Sequence, residues 1–367
     1  MPGRDHRGGG GGRGARDPGA ARVATRGGAG EARAAMREPG KLAAIGADLG
    51  GTNIRLALVD PEGGLSEPTY YPTPRKGDAA AILETLAQGV RALDRQARAH
   101  GIRLVGCGLG VAGLLDGRAG LVYTAPNVAG FQDLPLKKLL EEMVEVPVTL
   151  ENDANAAAFA EYWLGAGRGV GSLVCLTLGT GIGSGIILEG KLLRGASGAA
   201  AEAGHIAVEA DGERCGCGAR GCLEAYASAT AILREARAAL ARGEGTALGS
   251  SFGTRPEALT AKDVGDAARA GDPVARGILE KAGRYLGVGL GSLVNLLNPD
   301  LITLAGGLVG AGDLLLRPAL AELERRAFPV LLRRTRVELS ALADTAGILG
   351  AAGLVLADAG LLWMPAP

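Results

Sequence analysis

Residues 43–59 read AAIGADLGGTNIRLALV: an apolar run, the four residues Gly50, Gly51, Thr52 and Asn53, then a second apolar run from Ile54. Apolar runs of strand length on either side of a Gly-rich break predict a hairpin. The GxxxxGK[ST] pattern of a P-loop does not occur here. A Gly-rich hairpin turn can still hold phosphate, because glycines let the oxygens reach backbone N–H groups and a threonine hydroxyl adds a donor. One such turn is weak evidence of function, but the element recurs. Residues 172–178 read as a strand, 179–185 as a turn (GTGIGSG) and 186–189 as the return. Two related hairpins suggest two related domains. A third glycine turn, Gly306 and Gly307, follows an apolar strand at 301–304 and leads into a helix from Leu314. It suits a nucleotide base or ribose, or equally tight packing.

Between the hairpins, residues 134–144 carry apolar side chains at 134, 136, 139, 140 and 143, which predicts a helix ended before Pro147. Residues 148–150 read as a strand, and Glu151, Asn152 and Asp153 open an Ala-rich helix over 154–164. Asp153 therefore falls where a strand becomes a helix. An acid there is either an N-cap or a general base. The helix N-terminus favours the charged form, which makes a weak base, adequate where the proton moves late in a loose phosphoryl transfer.

His205 is followed by Cys215, Cys217 and Cys222, with Glu202 and Glu224 on either side. One imidazole and three thiolates suit the tetrahedral shell of a structural zinc, which leaves no open position to activate water. Such an ion would orient His205, and through the chain Glu202 and Glu224, toward a polar ligand. The alternatives are a disulfide or free buried thiols. Five cysteines, no signal-peptide pattern and a C-x-C spacing favour zinc. Cys107 and Cys175 lie in apolar runs and read as core.

A chain of 367 residues, 47% hydrophobic, is long enough for two cores. At 3% aromatic it lacks the stacking platforms of single-strand binders, and zero net charge gives no electrostatic case for nucleic acid or an acidic membrane. No apolar run reaches bilayer-spanning length. Residues 1–40 are Gly/Ala/Arg-rich, with eight arginines against four acids, so the body from Lys41 is net negative by four. This tail is too poor in apolar residues to fold and is expected to be disordered. It could bind phosphate or RNA, or lie upstream of a native start at Met36.

Taken together, these motifs resemble the ROK sugar kinases of the actin-like ATPase superfamily, most closely the bacterial glucokinases among them, over residues 43 to about 355. Asp48 to Asn53 is similar to the family's first phosphate motif and Leu178 to Gly183 to its second. His205 with its cysteines is similar to the zinc signature, and Ala125-Pro126-Asn127 and Glu151-Asn152-Asp153 to the sugar-contacting and catalytic segments. The resemblance implies two α/β domains of ribonuclease H-like fold with an inter-domain cleft. The smaller is 41–151 plus a returning helix at about 345–360, and the larger, with the zinc site, is 152–344.

The implied activity is phosphorylation of glucose at its 6-hydroxyl by ATP with Mg2+, giving glucose 6-phosphate, with Asp153 as base. Gly113, Asn127, Asn152, Glu202, His205 and Glu224 would contact the sugar. Asp48, Gly50, Gly51, Thr52, Asn53, Gly179, Thr180 and Gly181 would serve phosphates and magnesium, and Gly306 and Gly307 the adenosine. The resemblance further implies a cytoplasmic homo-oligomer, dimer or tetramer. The sequence leaves open mannose, N-acetylmannosamine or N-acetylglucosamine as the substrate, and polyphosphate as the donor. A sugar-responsive repressor would need a helix-turn-helix, for which residues 1–40 show no periodicity.

Overall fold

The computed structural model describes residues 23, 24, 42–74 and 79–362. The disorder expected of residues 1–40 falls outside the described residues, except that β1 (Val23–Ala24) pairs in parallel with Val337 and Glu338. Strand β2 (Leu42–Leu49) is buried on both faces, as a strand between two covering layers must be. It pairs antiparallel with β3 (Asn53–Val59), which sets Asp48 opposite Arg55, and parallel with β5 (Arg103–Val111). With β4 (Thr69–Pro72) and β9 (Val148–Asn152) they form a five-stranded sheet in the order β4-β3-β2-β5-β9. Ile45, Leu49, Leu56 and Leu109 on one face pack beneath α1 (Ala79–Ala99), whose Ile82, Leu86, Val90 and Leu93 recur at helical spacing, and beneath α2 (Leu136–Glu141). Strands β6 (Leu114–Asp116), β7 (Leu121–Thr124) and β8 (Gln132–Leu134) make a separate three-stranded sheet.

A six-stranded sheet holds β10 (Leu173–Leu178), β11 (Ile182–Leu188), β12 (Lys191–Leu192), β13 (Leu301–Ala305) and β14 (Arg336–Leu339), ordered β1-β14-β13-β10-β11-β12. Beyond β12 the chain passes through α4 (Glu224–Ala227), α5 (Ala229–Ala241), α6 (Leu248–Phe252), α7 (Ala261–Arg269) and α8 (Pro273–Leu297). After β13 come α9 (Asp313–Arg326) and α10 (Pro329–Leu332). Leu279, Leu286, Leu290, Leu315 and Leu323 of α8 and α9 join Val174, Leu176, Ile302 and Leu304 of the sheet in one core.

The remaining faces of the two large sheets meet across α3 (Asp153–Trp163) and α11 (Ala346–Asp358), both buried nearly all round. Small residues make this layering fit. A methyl at Gly46 would lie 2.1 Å from the Ile348 carbonyl oxygen and one at Gly108 1.9 Å from that of Ala351, so α11 rests its backbone on β2 and β5. Gly350 brings α11 equally close to α3, 1.7 Å by the same measure from the Ala156 oxygen.

The second turn and α2 depart most from their expected bounds. The second turn closes at once, with Gly179 N–H donating to Gly181 O at 2.9 Å, and β11 begins at Ile182 rather than 186. Gly183 and Gly185 lie within that strand because α3 packs on it, the methyls of Ala154 and Ala158 standing 3.0 and 2.5 Å from where their Cβ atoms would be. Helix α2 is shorter than 134–144: Leu134 ends β8, Pro135 occupies the N-cap, and the helix stops at Glu141.

Candidate active site

The two hairpin turns join β2 to β3 and β10 to β11. In the first, Gly50 N–H donates to Asn53 O (3.1 Å), and Thr73 reaches back so that its hydroxyl donates to Gly50 O (2.7 Å). Gly51 abuts Asn127, a methyl there lying 2.9 Å from the Asn127 oxygen, and Thr52, Asn53 and Asn127 are exposed. In the second, α5 holds the turn: Ala229 N–H donates to Gly179 O (2.9 Å) and Thr230 Oγ1 to Thr180 O (2.7 Å). Gly306, at φ +90°, adopts a backbone that favours glycine, and a methyl there would lie 2.4 Å from Leu178 O, so the third turn sits beside the second. Gly306 and Gly307 are exposed, and Gly307 has open space where a side chain would go. Between this turn and α9 runs a 3-10 segment, Gly307–Ala311, where a direct passage into helix was expected.

At the end of β9 the capping role belongs to Asn152 and not to Asp153. Asn152 Oδ1 accepts from the N–H groups of Ala154 (2.9 Å) and Asn155 (3.0 Å), and its Nδ2 donates to Gly113 O (3.1 Å). One amide hydrogen of Asn152 is left for a ligand. Gly113 itself is packed on the Thr124 oxygen, 2.4 Å from a methyl placed there. Asp153, the first residue of α3, accepts from Ala154 N–H at 2.9 Å. Burial above all, and then the Asp48 carboxylate nearby, push its acid up to about 6. The low-pKa base expected from the helix terminus alone is thus overridden by desolvation. Asp48 is itself buried and paired with Arg55, whose Nη1 also donates to Asp344 O at 2.9 Å.

Glu202 lies within electrostatic reach of Asp153. Burial raises its own pKa, the nearby His205 lowers it and Glu224 raises it. Glu224, at the start of α4, accepts the Ile182 N–H through Oε2 at 2.9 Å, which ties it to the second turn. Its Oε1 lies 3.6 Å from Cys215 Sγ. The ligand atoms of His205, Cys215, Cys217 and Cys222 all lie within 4.8 Å of one another. Cys215 Sγ stands 3.6 Å from His205 Nδ1, and Cys217 Sγ 3.7 Å from Cys222 Sγ. A tetrahedron with bonds of about 2.3 Å has edges of about 3.8 Å, so the spacing suits zinc and is far beyond a disulfide bond. Cys107 and Cys175 are fully buried, with thiols pushed up to about 12 by desolvation, as core residues should be.

The family model "ROK family" matches residues 44–358. The chain belongs to the ROK family. Among its ROK relatives is a glucokinase of Halalkalibacterium halodurans, 38% identical over 315 residues that cover 85% of this chain and 94% of the relative. A crystal structure of a ROK glucokinase from Streptomyces griseus in complex with glucose and AMPPNP superposes with a TM-score of 0.72 at 38% identity, covering 85% of this chain and 98% of the other. The family also includes regulators: a xylose repressor of Caldicellulosiruptor bescii is 30% identical over 314 residues, covering 86% of this chain and 78% of its own length. No helix among the described residues of this ROK protein is long and apolar enough to cross a membrane.

Four polar contacts escaped the sequence reading, three of them at the site. Arg55 was the accessible one, because the length of the first turn fixes the cross-strand register that pairs it with Asp48. Thr230, Arg194 and Glu161 contact residues far away in the chain, and no local pattern marks them. Glu161 is fully buried on α3, and accepts the Ser340 hydroxyl and the Ala166 N–H.

Proposed function

We propose that the chain is a glucokinase, transferring the γ-phosphoryl group of ATP to the 6-hydroxyl of glucose with Asp153 as general base. The observation that carries this reading is Asp153 itself: an acid tuned to about 6, at the head of a buried helix, facing Asp48 and Glu202 between two glycine turns. A base of this pKa is ionised at neutral pH and basic enough to accept the hydroxyl proton as the oxygen attacks phosphorus. Asn127, the remaining hydrogen of Asn152, Glu202, His205, Glu224 and the backbone at Gly113 bind the other hydroxyls. Thr52, Asn53, Thr180 and the glycines at 50, 51, 179 and 181 hold the phosphates, and Gly306 and Gly307 border the adenosine. Asp48, held by Arg55, would sit near magnesium and its waters, and the ion would neutralise charge on the phosphates.

His205, Cys215, Cys217 and Cys222 would hold zinc, whose closed shell orients His205 and supplies no water for chemistry. The reading places residues 41–151 with α11 in a smaller domain and 152–344 in a larger one, and the protein in the cytoplasm as a homo-oligomer. Likeness to repressors bears on the fold they share, whereas a tuned Asp153 suits catalysis. A coupled ADP assay with Mg2+ on glucose, mannose, fructose, N-acetylglucosamine and N-acetylmannosamine tests it. Preference for glucose is expected. Preference for an N-acetyl sugar moves the substrate and keeps the catalytic roles, and no turnover on any hexose rejects the kinase.

A further inference from the structure

Glu151 precedes Asn152 and Asp153 and is 2% exposed, so an unpartnered charge there would be costly. Its Oε1 accepts from Asn155 Nδ2 (2.9 Å) and from the N–H of Asn152 (3.1 Å), and its Oε2 takes Arg194 Nε at 2.7 Å. Arg194 belongs to the other large sheet's side of the molecule, at the start of the segment 193–202 that runs from β12 to Glu202. The segment is almost devoid of large side chains. It closes on itself through Ala200 N–H to Arg194 O (3.1 Å). Midway it presses on β6, where a methyl at Gly198 would lie 2.9 Å from Asp116 Cα, and the Tyr123 hydroxyl reaches Ser197 O at 3.5 Å. Its far end is pinned by Ser184, whose hydroxyl donates to Ala201 O and accepts from Ala203 N–H at 2.9 Å. Among the described residues, Arg194 adds a charged contact with Glu151 of β9 to the packing of Gly198 on β6 and the bond from Tyr123 of β7.

We propose that Arg194 is a positioning residue: its ion pair with Glu151 latches the 193–202 segment across the site and thereby places the Glu202 carboxylate for the hexose. The proposal rests on the kinase reading, in which Glu202 contacts sugar, and it separates sugar binding from phosphoryl transfer. Arg194→Met keeps the aliphatic stem and removes the charge. The expected result is a rise of about tenfold in the hexose KM, the value of roughly one well-placed hydrogen bond, with kcat and the ATP KM within about twofold of wild type. The melting temperature falls in either case, because Glu151 loses its partner; a merely structural role would lower kcat and leave the hexose KM no more affected than the ATP KM, and that outcome overturns the proposal.

Arg194→Lys, which preserves the charge but loses the guanidinium plane, is the milder variant should the first fail to fold. A rise of about threefold confined to the hexose KM supports the latch, and an unchanged hexose KM in the folded protein overturns it. Amide hydrogen exchange over 195–202 gives a readout independent of turnover. Faster exchange there in either variant than in wild type is expected, and unchanged exchange refutes the latch. Wild-type protein that phosphorylates no hexose rejects the kinase reading while leaving the exchange result to stand or fall on its own.

Discussion

At the residue scale, Asp153 is the proposed base, and its environment makes three outcomes predictable. Asp153→Asn should lower kcat by about 10²- to 10⁴-fold, the range for a positioned base, while hexose affinity measured by calorimetry stays within a few-fold. In the wild type, kcat/KM for the hexose should fall with decreasing pH through about 6, since the proton acceptor is lost as Asp153 is protonated. A profile flat down to pH 5 would remove Asp153 from the role of base. The third outcome concerns stability. The folded-state pKa lies above that of the unfolded chain, so the ionised acid destabilises the fold at neutral pH, and that penalty disappears as pH drops below the unfolded value. Asp153→Asn should therefore melt at a higher temperature than wild type at pH 7, with the gap closing toward pH 4.

At the element scale, the two hairpins and the strand-to-helix step at 151–153 were legible because Gly-rich breaks between apolar runs are local signals. The extent of the second turn was not: Gly183 and Gly185 resemble turn residues, and only the approach of α3 shows them to be strand positions cleared for a helix. Nor was the N-cap, because adjacent Asn152 and Asp153 are both good capping types and backbone geometry chooses between them. The His205 and cysteine cluster was legible from spacing alone, and the structure brings its four donors together. Cys217→Ser should leave about one equivalent less zinc by atomic absorption and raise the hexose KM. A zinc-free variant with unchanged KM would detach the cluster from sugar binding. Gly108→Ala should destabilise by about 1–3 kcal/mol or more in a denaturant melt, since its methyl would drive into the backbone of α11.

At the scale of the whole molecule, the two large sheets meet across α3 and α11, and the proposed site lies where α3 starts. A ligand that touches both sides binds the folded arrangement alone. Glucose at about a hundred times its Kd should thus stabilise by about 2.7 kcal/mol, seen as a rise in melting temperature that survives in Asp153→Asn, where turnover does not. No shift with glucose and a shift with another hexose would reassign the sugar. Repetition of one hairpin suggested two related domains, and the fold class followed from the resemblance of the motifs to a family. What the chain hid was long-range pairing, such as Glu161 with Ser340 or Glu151 with Arg194, because contacts between residues far apart leave no periodic trace. The position of α11 has a consequence for synthesis. A ribosome completes β2 (Leu42–Leu49) and β5 (Arg103–Val111) long before it reaches Ala346, where the helix that covers them begins, so their glycine-lined face emerges bare and waits through most of translation. Such a nascent chain is exposed to misassociation for nearly the whole of its making.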